Sequence, residues 1–196
     1  MEGAIGRAGY PFDMPASEKT YVALALEDPE GNWEQYRGRV RRKPSRTFSC
    51  HDAGRRLFTR LTDQLPEEMF VVSFNSARLS VPGSETHFIP DVAVIPIATT
   101  MALQGRQDVL EEYPSAVPFV AEVWSPSTGE YDVGTKLPEY RARGDLEIWR
   151  VHPYERTLIA WRRQPGGSYS ETQYRGGEVP VASLPGVSIR LESLFR

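Results

Sequence analysis

Val117-Pro-Phe-Val-Ala-Glu-Val-Trp124 is a near-continuous apolar run that carries a single carboxylate, Glu122. A second apolar run, Phe88-Ile-Pro-Asp-Val-Ala-Val-Ile95, also carries one carboxylate, Asp91. Runs of this kind suit strands that are buried on both faces of a sheet. Because side chains alternate along a strand, Glu122 shares a face with Val120. The two runs therefore predict the centre of a sheet that contains two buried acids.

Shorter segments on both sides of these runs predict further strands. Two four-residue segments that flank Arg37-Gly38 predict an N-terminal β-hairpin. The segments 69–74 and 77–81 predict a second hairpin around Asn75-Ser76. Strands that form a meander are predicted at 146–151, 157–161 and 168–172.

Two helices are predicted between these strands. One begins near Ser49, with Asp52 as its capping partner. The other is entered from the segment that begins at Asp132, and it ends near Gly144; because proline is tolerated in a first helical turn but not deeper, a start at Pro138 is the alternative. This start would leave Lys136 in the preceding loop.

The length of 196 residues suits one domain, and 40% hydrophobic residues suffice for a sizeable core. Residues 1–20 mix glycine, proline and small residues without periodicity, which predicts a flexible N-terminal arm and a single domain over residues 21–196. No apolar run approaches the roughly 20 residues of a membrane span, and the first residues lack the apolar stretch of a secretory signal. The single cysteine, Cys50, excludes an internal disulfide. These features predict a cytoplasmic protein without a membrane partner.

Charge is unevenly distributed along the chain, although the net charge of −3 gives no overall basic footprint. Between Arg37 and Arg60 there are nine basic residues and one acid, Asp52. Such a segment would attract a phosphate backbone, so Arg55, Arg56 and Arg60 are candidate DNA contacts. The alternative is that these arginines cover a solvated hairpin and helix face.

The two carboxylates of the apolar runs are the strongest chemical signal. A buried carboxylate is unfavourable unless it is paired, protonated or bound to a cation. Two of them on neighbouring strands would form a cation site, and oxygen ligands favour Mg²⁺ or Mn²⁺. Such an ion can activate water and neutralise charge on a phosphate. The alternatives are a strand-start aspartate after Pro90 for Asp91, and a buried ion pair with an arginine for Glu122.

Other polar residues have simpler interpretations. His51, His87 and His152 show no zinc-ligand spacing with one another or with Cys50, so core or surface roles are predicted. His87 is the exception among the three, because it lies four residues before Asp91. Asp132 is interpreted as a helix N-cap.

Short motifs follow one another in a fixed order along the chain. They are Ile89-Pro-Asp-Val92, Ala121-Glu-Val-Trp-Ser-Pro-Ser127, Asp132-x3-Lys136-x3-Tyr140-x3-Gly144-x2-Glu147-x-Trp149, and Pro153. This ordered set resembles the Uma-two family, a group of endonucleases in the PD-(D/E)XK superfamily. The resemblance covers roughly residues 33–195 and rests on the whole set, since no single tripeptide is specific.

The resemblance implies an α/β fold of α+β character, with a restriction-endonuclease-like mixed central sheet flanked by helices and an N-terminal β-hairpin. It also implies Mg²⁺-assisted cleavage of DNA, often by paired subunits, so a homodimer is expected. Asp91 and Glu122 match the motif acids. The superfamily's usual lysine position is Trp124 here, and Lys136 matches the lysine that the Uma-two pattern supplies later. Glu34 matches a hairpin glutamate that would be an accessory ligand or base.

The displaced lysine and the acidic net charge leave a second function open. In that alternative, the chain is a nucleic-acid-binding or interaction module on the same fold, with a weak or lost active site.

Overall fold

The computed structural model of the chain describes residues 14–196. Their strands form two six-stranded sheets and one separate pair. The strands are β1 (Met14–Pro15), β2 (Trp33–Tyr36), β3 (Arg39–Arg42), β4 (Phe70–Phe74), β5 (Arg78–Val81), β6 (Thr86–Phe88), β7 (Val92–Pro96), β8 (Glu112–Tyr113), β9 (Phe119–Val123), β10 (Glu147–His152), β11 (Thr157–Arg163), β12 (Tyr169–Tyr174), β13 (Glu178–Pro180) and β14 (Ser188–Arg190).

The helices are α1 (Glu18–Glu27), α2 (Phe48–Thr62), α3 (Ile97–Thr100), α4 (Gly129–Tyr131) and α5 (Leu137–Arg143). A π-helical turn, Asp132–Lys136, joins α4 to α5. Single turns of 3₁₀-helix are present at Pro29–Gly31, Met101–Leu103 and Leu191–Leu194. None of the helices in residues 14–196 is both long and apolar enough to pass through a bilayer.

The central sheet has the strand order β12-β11-β10-β9-β7-β4. β9 and β10 are parallel and the other neighbours are antiparallel, so the mixed sheet and the predicted β10–β12 meander are confirmed. Val92 lies opposite Ala121, and the amide of Asp91 donates to the carbonyl of Ala121 at 3.1 Å. This pairing places Asp91 at the start of the strand beside Glu122.

The two faces of the central sheet are covered differently. On one face, Leu57 and Leu61 of α2 pack with Ala121 and Trp149 in a buried cluster. On the other face, Val120 packs with residues from the second sheet and from α5. Glu122 alternates with Ala121 and therefore points to this second face.

The second sheet has the order β1-β3-β2-β6-β5-β8 and contains the predicted β2–β3 hairpin. The predicted hairpin around Asn75-Ser76 is wrong, because β4 pairs with β7 in the central sheet and β5 pairs with β6 in the second sheet. Asn75 adopts a φ of 55°, and the hydroxyl of Ser73 accepts a hydrogen bond from the amide of Ala77 at 2.9 Å. The chain therefore crosses between sheets at the site where turn chemistry alone suggested a reversal.

Residues 1–13 of the predicted arm over residues 1–20 lie outside the described part of the chain, and residues 14–20 contain regular structure. Met14–Pro15 pairs with β3, and Ser17 caps α1 by accepting a hydrogen bond from the amide of Thr20 at 3.3 Å. The single domain over residues 21–196 stays a prediction. The cap of α2 also differs from expectation, because Thr47 rather than Ser49 occupies the N-cap position.

Candidate active site

Four carboxylates and four cationic side chains lie in one linked region where the hairpin, the central sheet and the α4–α5 segment meet. None of them exposes more than 9% of its side chain. Their charges balance when all eight are ionised, which fits their burial. The residues are Glu34, Asp91, Glu122, Asp132, Arg41, Lys43, Arg46 and Lys136.

Lys136 lies at the centre of this charge cluster. Its Nζ is 3.0 Å from Oε1 of Glu122 and 2.7 Å from Oε1 of Glu34. Burial lowers the pKa of Lys136, but the charges of Glu122 and Glu34 outweigh it and raise that pKa above its ordinary value. The side chain is therefore a fixed, protonated cation at neutral pH.

The placement of Lys136 decides between the two helix starts that Pro138 left open. Lys136 is not in a loop but ends the π-helical turn, in which the amide of Leu137 donates to the carbonyl of Asp132. Pro138 lies in the first turn of α5, directly after the π-helical turn, and cannot donate a backbone hydrogen bond back to that turn. The wider π-helical turn accommodates the proline within the helical segment. Lys136, at the end of this turn, contacts Glu34 and Glu122.

Glu122 has two carboxylate oxygens in different situations. Oε1 accepts hydrogen bonds from Nζ of Lys136 at 3.0 Å and from the hydroxyl of Tyr140 at 2.8 Å. Oε2 is buried and has no hydrogen-bond partner among residues 14–196. This oxygen is one of the buried polar atoms of the site whose hydrogen-bonding capacity is unmet.

Asp132 shares this environment. Its Oδ2 is also buried without a hydrogen-bond partner in the described chain, and Asp132 and Glu122 line a common cavity of about 10 Å³. Burial and then the charge of Glu122 raise the pKa of Asp132 to about 6. The N-cap interpretation is wrong, because Asp132 lies inside a continuous helical segment, not before it.

Asp91 is already neutralised by cationic side chains. Its Oδ1 contacts Nζ of Lys43 at 2.7 Å and also the guanidinium of Arg46, while its Oδ2 accepts a hydrogen bond from the amide of Val123 at 2.7 Å. Burial and then the charge of Arg46 lower the pKa of Lys43 well below its usual value. The contacts described for Asp91 and Glu122 go to different groups, so a cation shared by the two stays a prediction.

Glu34 connects the hairpin to the site. Its Oε1 accepts from the amide of Ile89 at 3.0 Å, and its Oε2 accepts from Arg41 at 2.9 Å. Burial would raise its pKa, but the charges of Lys136 and Arg41 lower it to about 2. A carboxylate of this pKa is a weak base. This argues against the role of base, and the contact of Glu34 with Lys136 holds that lysine in place; the role of accessory ligand stays a prediction.

The arginines of α2 have structural partners. Asp52 accepts hydrogen bonds from Arg55 and from Arg56, both at 2.9 Å, and Arg60 is exposed. Because α2 packs on the face opposite Glu122, these three side chains lie away from the charge cluster, and their DNA contacts stay a prediction.

Of the nine basic residues between Arg37 and Arg60, those that enter the charge cluster precede α2. The local density of positive charge was a signal for this segment, but Lys43 and Arg46 lie in a loop, whose positions have no periodicity that would show which residues turn inward, whereas Arg41 lies in β3. Those that turn inward are Arg41, Lys43 and Arg46.

The mixed sheet, the hairpin and the buried acid–lysine cluster define a protein of the restriction-endonuclease-like class. The Uma2 family, described as "Putative restriction endonuclease", matches residues 19–192, so the chain belongs to the Uma2 (Uma-two) family. A crystal structure described as that of "a putative nuclease belonging to DUF820" from Anabaena variabilis is similar in fold, with a TM-score of 0.72. It is 16% identical, and the match covers 92% of this chain and 97% of that one. No curated protein matches the chain.

Proposed function

We propose that this protein is a metal-dependent DNA endonuclease that hydrolyses phosphodiester bonds at the charge cluster around Glu122. The observation that carries the proposal is the unmet Oε2 of Glu122. Leaving a buried polar atom without a donor costs about 1–3 kcal/mol, and more when the group is charged. A fold that keeps such an atom beside a protonated lysine is suited to receive a ligand there. Membership of the Uma2 family supports nuclease chemistry.

The donor atoms of the cluster suit a hard divalent cation. Carboxylate oxygens are the ligands that Mg²⁺ and Mn²⁺ prefer, and the unpartnered oxygens of Glu122 and Asp132 meet that requirement. Asp91 would join these ligands if Lys43 and Arg46, which now contact its Oδ1, were displaced. When bound, such an ion supplies an activated water and positive charge beside the phosphate.

Lys136 and Tyr140 have separate roles at the site. Lys136, held by Glu34 and Glu122, presents a fixed positive charge to the attacking water or to the charge that develops on the phosphate. Tyr140 donates to Glu122 and fixes the orientation of that carboxylate.

The cluster is closed in this structure, so substrate requires an opening. Lys43 and Arg46 belong to the segment between β3 and α2, and their contacts to Asp91 cover that acid. Displacing this segment would expose Asp91 and free two cations for phosphate groups. Lys43 and Arg46 would thereby exchange one anionic partner for another.

The second candidate function is nucleic-acid binding without cleavage. The observation in its favour is the same pair of contacts, because Asp91 already has two cationic partners and does not require a metal for neutralisation. If the segment never opens, the protein binds DNA on its surface and leaves it intact.

Cleavage and binding assays on the full chain distinguish the two functions. Supercoiled plasmid and short linear DNA are incubated with wild type and Glu122→Gln across Mg²⁺ and Mn²⁺ concentrations, with EDTA as the metal-free control. We expect metal-dependent cleavage by wild type, reduced at least about 100-fold in the variant, with DNA binding in EDTA unchanged. DNA binding by wild type without cleavage in either metal would favour the binding module.

A further inference from the structure

A second group of ligand-type side chains lies where α1 meets the second sheet, outside the charge cluster. Glu18 begins α1, His87 lies in β6 and Glu112 lies in β8. One potential ligand atom from each lies within 4.8 Å of the other two. His87 is 2% exposed, whereas Glu18 is exposed and Glu112 exposes 28% of its side chain. The group therefore has a buried nitrogen on one side and is open to solvent on the other.

Hydrogen bonds determine which nitrogen of His87 carries a proton. Nε2 of Gln35 donates to the carbonyl of Ala16 at 2.7 Å, so Oε1 of Gln35 is the atom that faces the imidazole. This oxygen is 3.2 Å from Nδ1 of His87 and can only accept, so Nδ1 must donate. In a neutral ring, Nε2 then presents its lone pair, which is the state that binds a metal.

Nε2 of His87 has no hydrogen-bond partner in the described chain and lies 3.4 Å from Oε1 of Glu112. Two acceptors facing each other repel, so this contact requires a second proton or a cation. A charge-assisted N–H···O bond would be about 2.7–2.9 Å long. Two ligands on one tetrahedral zinc ion, each about 2.0–2.2 Å from the metal, would be about 3.3–3.5 Å apart. The separation of the His87–Glu112 pair matches the shared-cation arrangement, and the ligand atom of Glu18 lies within 4.8 Å of both.

We propose that Glu18, His87 and Glu112 bind one zinc ion, with water completing the coordination on the solvent side. Imidazole favours zinc over Mg²⁺, and two carboxylates neutralise its charge. Tyr21 stacks on the imidazole with ring centroids 4.5 Å apart and shields one face of the ring. The ion ties α1 to β6 and β8, so it stabilises the second sheet without taking part in the chemistry at Glu122.

Zinc binding to the metal-free full chain tests the proposal, with Zn²⁺ uptake measured by calorimetry and Co²⁺ absorption as a spectroscopic probe. The variants are Glu18→Gln, His87→Asn and Gln35→Ala. His152→Asn is the matched control, because its imidazole also lies near a glutamate, Glu155 at 3.7 Å. Glu122→Gln separates this site from the charge cluster.

We expect one Zn²⁺ per chain at this site, measured in the Glu122→Gln background so that the proposed metal ligands of the charge cluster do not contribute, with the same affinity when His152→Asn is added. Affinity should fall at least about tenfold in Glu18→Gln and His87→Asn, and about 10–100-fold in Gln35→Ala, which loses the partner that orients the imidazole. Glu18 is exposed, so its variant decides the outcome even if His87→Asn fails to fold.

Three results would overturn the zinc site. The first is no Zn²⁺ uptake by wild type, which leaves a protonated His87 paired with Glu112. The second is unchanged Zn²⁺ affinity in Glu18→Gln. The third is loss of Zn²⁺ uptake when Glu122→Gln is the single change.

Discussion

Glu122 and Glu147 lie on neighbouring parallel strands and are both buried, yet their surroundings differ. Oε1 of Glu147 accepts from the indole of Trp149 at 2.7 Å and from Arg162 at 3.1 Å, and its Oε2 accepts from the amide of Ser183 at 2.9 Å. Both oxygens of Glu147 are used, whereas Oε2 of Glu122 has no partner in residues 14–196. Burial of a carboxylate therefore does not by itself indicate a reactive or ligand-binding site, but a buried carboxylate oxygen without a hydrogen-bond partner beside a cavity does.

The same contrast separates the members of the family motif. The Glu147-x-Trp149 part of the pattern is explained by the bond between these two side chains, which fixes β10 in the core. Lys136 and Tyr140, from the preceding part of the pattern, both contact Glu122. One set of motif residues thus builds the sheet, and the other builds the charge cluster.

The largest expected effect comes from exchanging each glutamate for glutamine. Glu122→Gln should reduce Mg²⁺-dependent cleavage roughly a thousandfold while the protein stays folded. Glu147→Gln should keep its cleavage rate per folded molecule but lose about 1–3 kcal/mol of unfolding free energy, because a satisfied buried network is broken. Cleavage kinetics and urea denaturation measure the two quantities. An equal loss of cleavage in Glu122→Gln and Glu147→Gln would contradict the assignment of a catalytic role to Glu122 and a structural role to Glu147.

Removing the cation of the cluster should affect both activity and stability. Lys136→Ala leaves the buried carboxylates of Glu34 and Glu122 without their shared partner, which should destabilise the metal-free protein by about 3–5 kcal/mol. Cleavage at temperatures where the variant is folded should fall about 100-fold. Lys136→Arg is the control that keeps the charge. A variant that cuts like wild type would assign the lysine role to another residue.

The pH dependence of stability tests Glu34. Its folded pKa of about 2 lies below its ordinary value of 4.5, so its stabilisation is complete above pH 4.5 and is lost as pH falls towards 2. The loss should be about 3 kcal/mol in EDTA. Glu34→Gln should remove this part of the acid transition, whereas Glu178→Gln, in an exposed pair with Arg190, should not. Identical acid titrations of wild type and Glu34→Gln would contradict the assignment.

The smallest effect is expected from the arginines of α2. Replacing all three by alanine should weaken DNA binding and lower the salt slope by at most about 3 if each contacts one phosphate. A matched triple replacement of exposed arginines elsewhere should leave the slope unchanged. Binding at several salt concentrations measures both, and an unchanged slope in the α2 variant would make its arginines a solvated surface. The test set is Arg55, Arg56 and Arg60, and the control set is Arg156, Arg163 and Arg175.

Much of the central sheet could be predicted because its strands are continuous apolar runs. The acids Asp91 and Glu122 were recognisable because a charge buried in such a run is unfavourable unless it has a partner or a ligand. The inward turn of Lys43 could not be predicted, since a loop residue has no periodicity. The π-helical turn that brings Lys136 to Glu122 also depends on packing and not on local propensity.

The second sheet was harder to predict because its strands are short and its partners are distant in sequence. Turn residues between β4 and β5 favour a hairpin, but pairing with β7 and β6 separates these two strands. The hydrogen bond from Nδ1 of His87 to Oε1 of Gln35, which orients the imidazole, joins positions 52 residues apart, and no local pattern reveals it.

The most direct test of the central claim is Mn²⁺ binding, measured by the electron paramagnetic resonance signal of the free ion. Glu18→Gln serves as the background, so that the proposed zinc site does not contribute. Adding Glu122→Gln to this background should weaken Mn²⁺ binding at least about tenfold, whereas adding Glu147→Gln should leave it unchanged. Equal Mn²⁺ affinity with and without Glu122→Gln would contradict the claim that the unmet oxygen of Glu122 is a metal ligand.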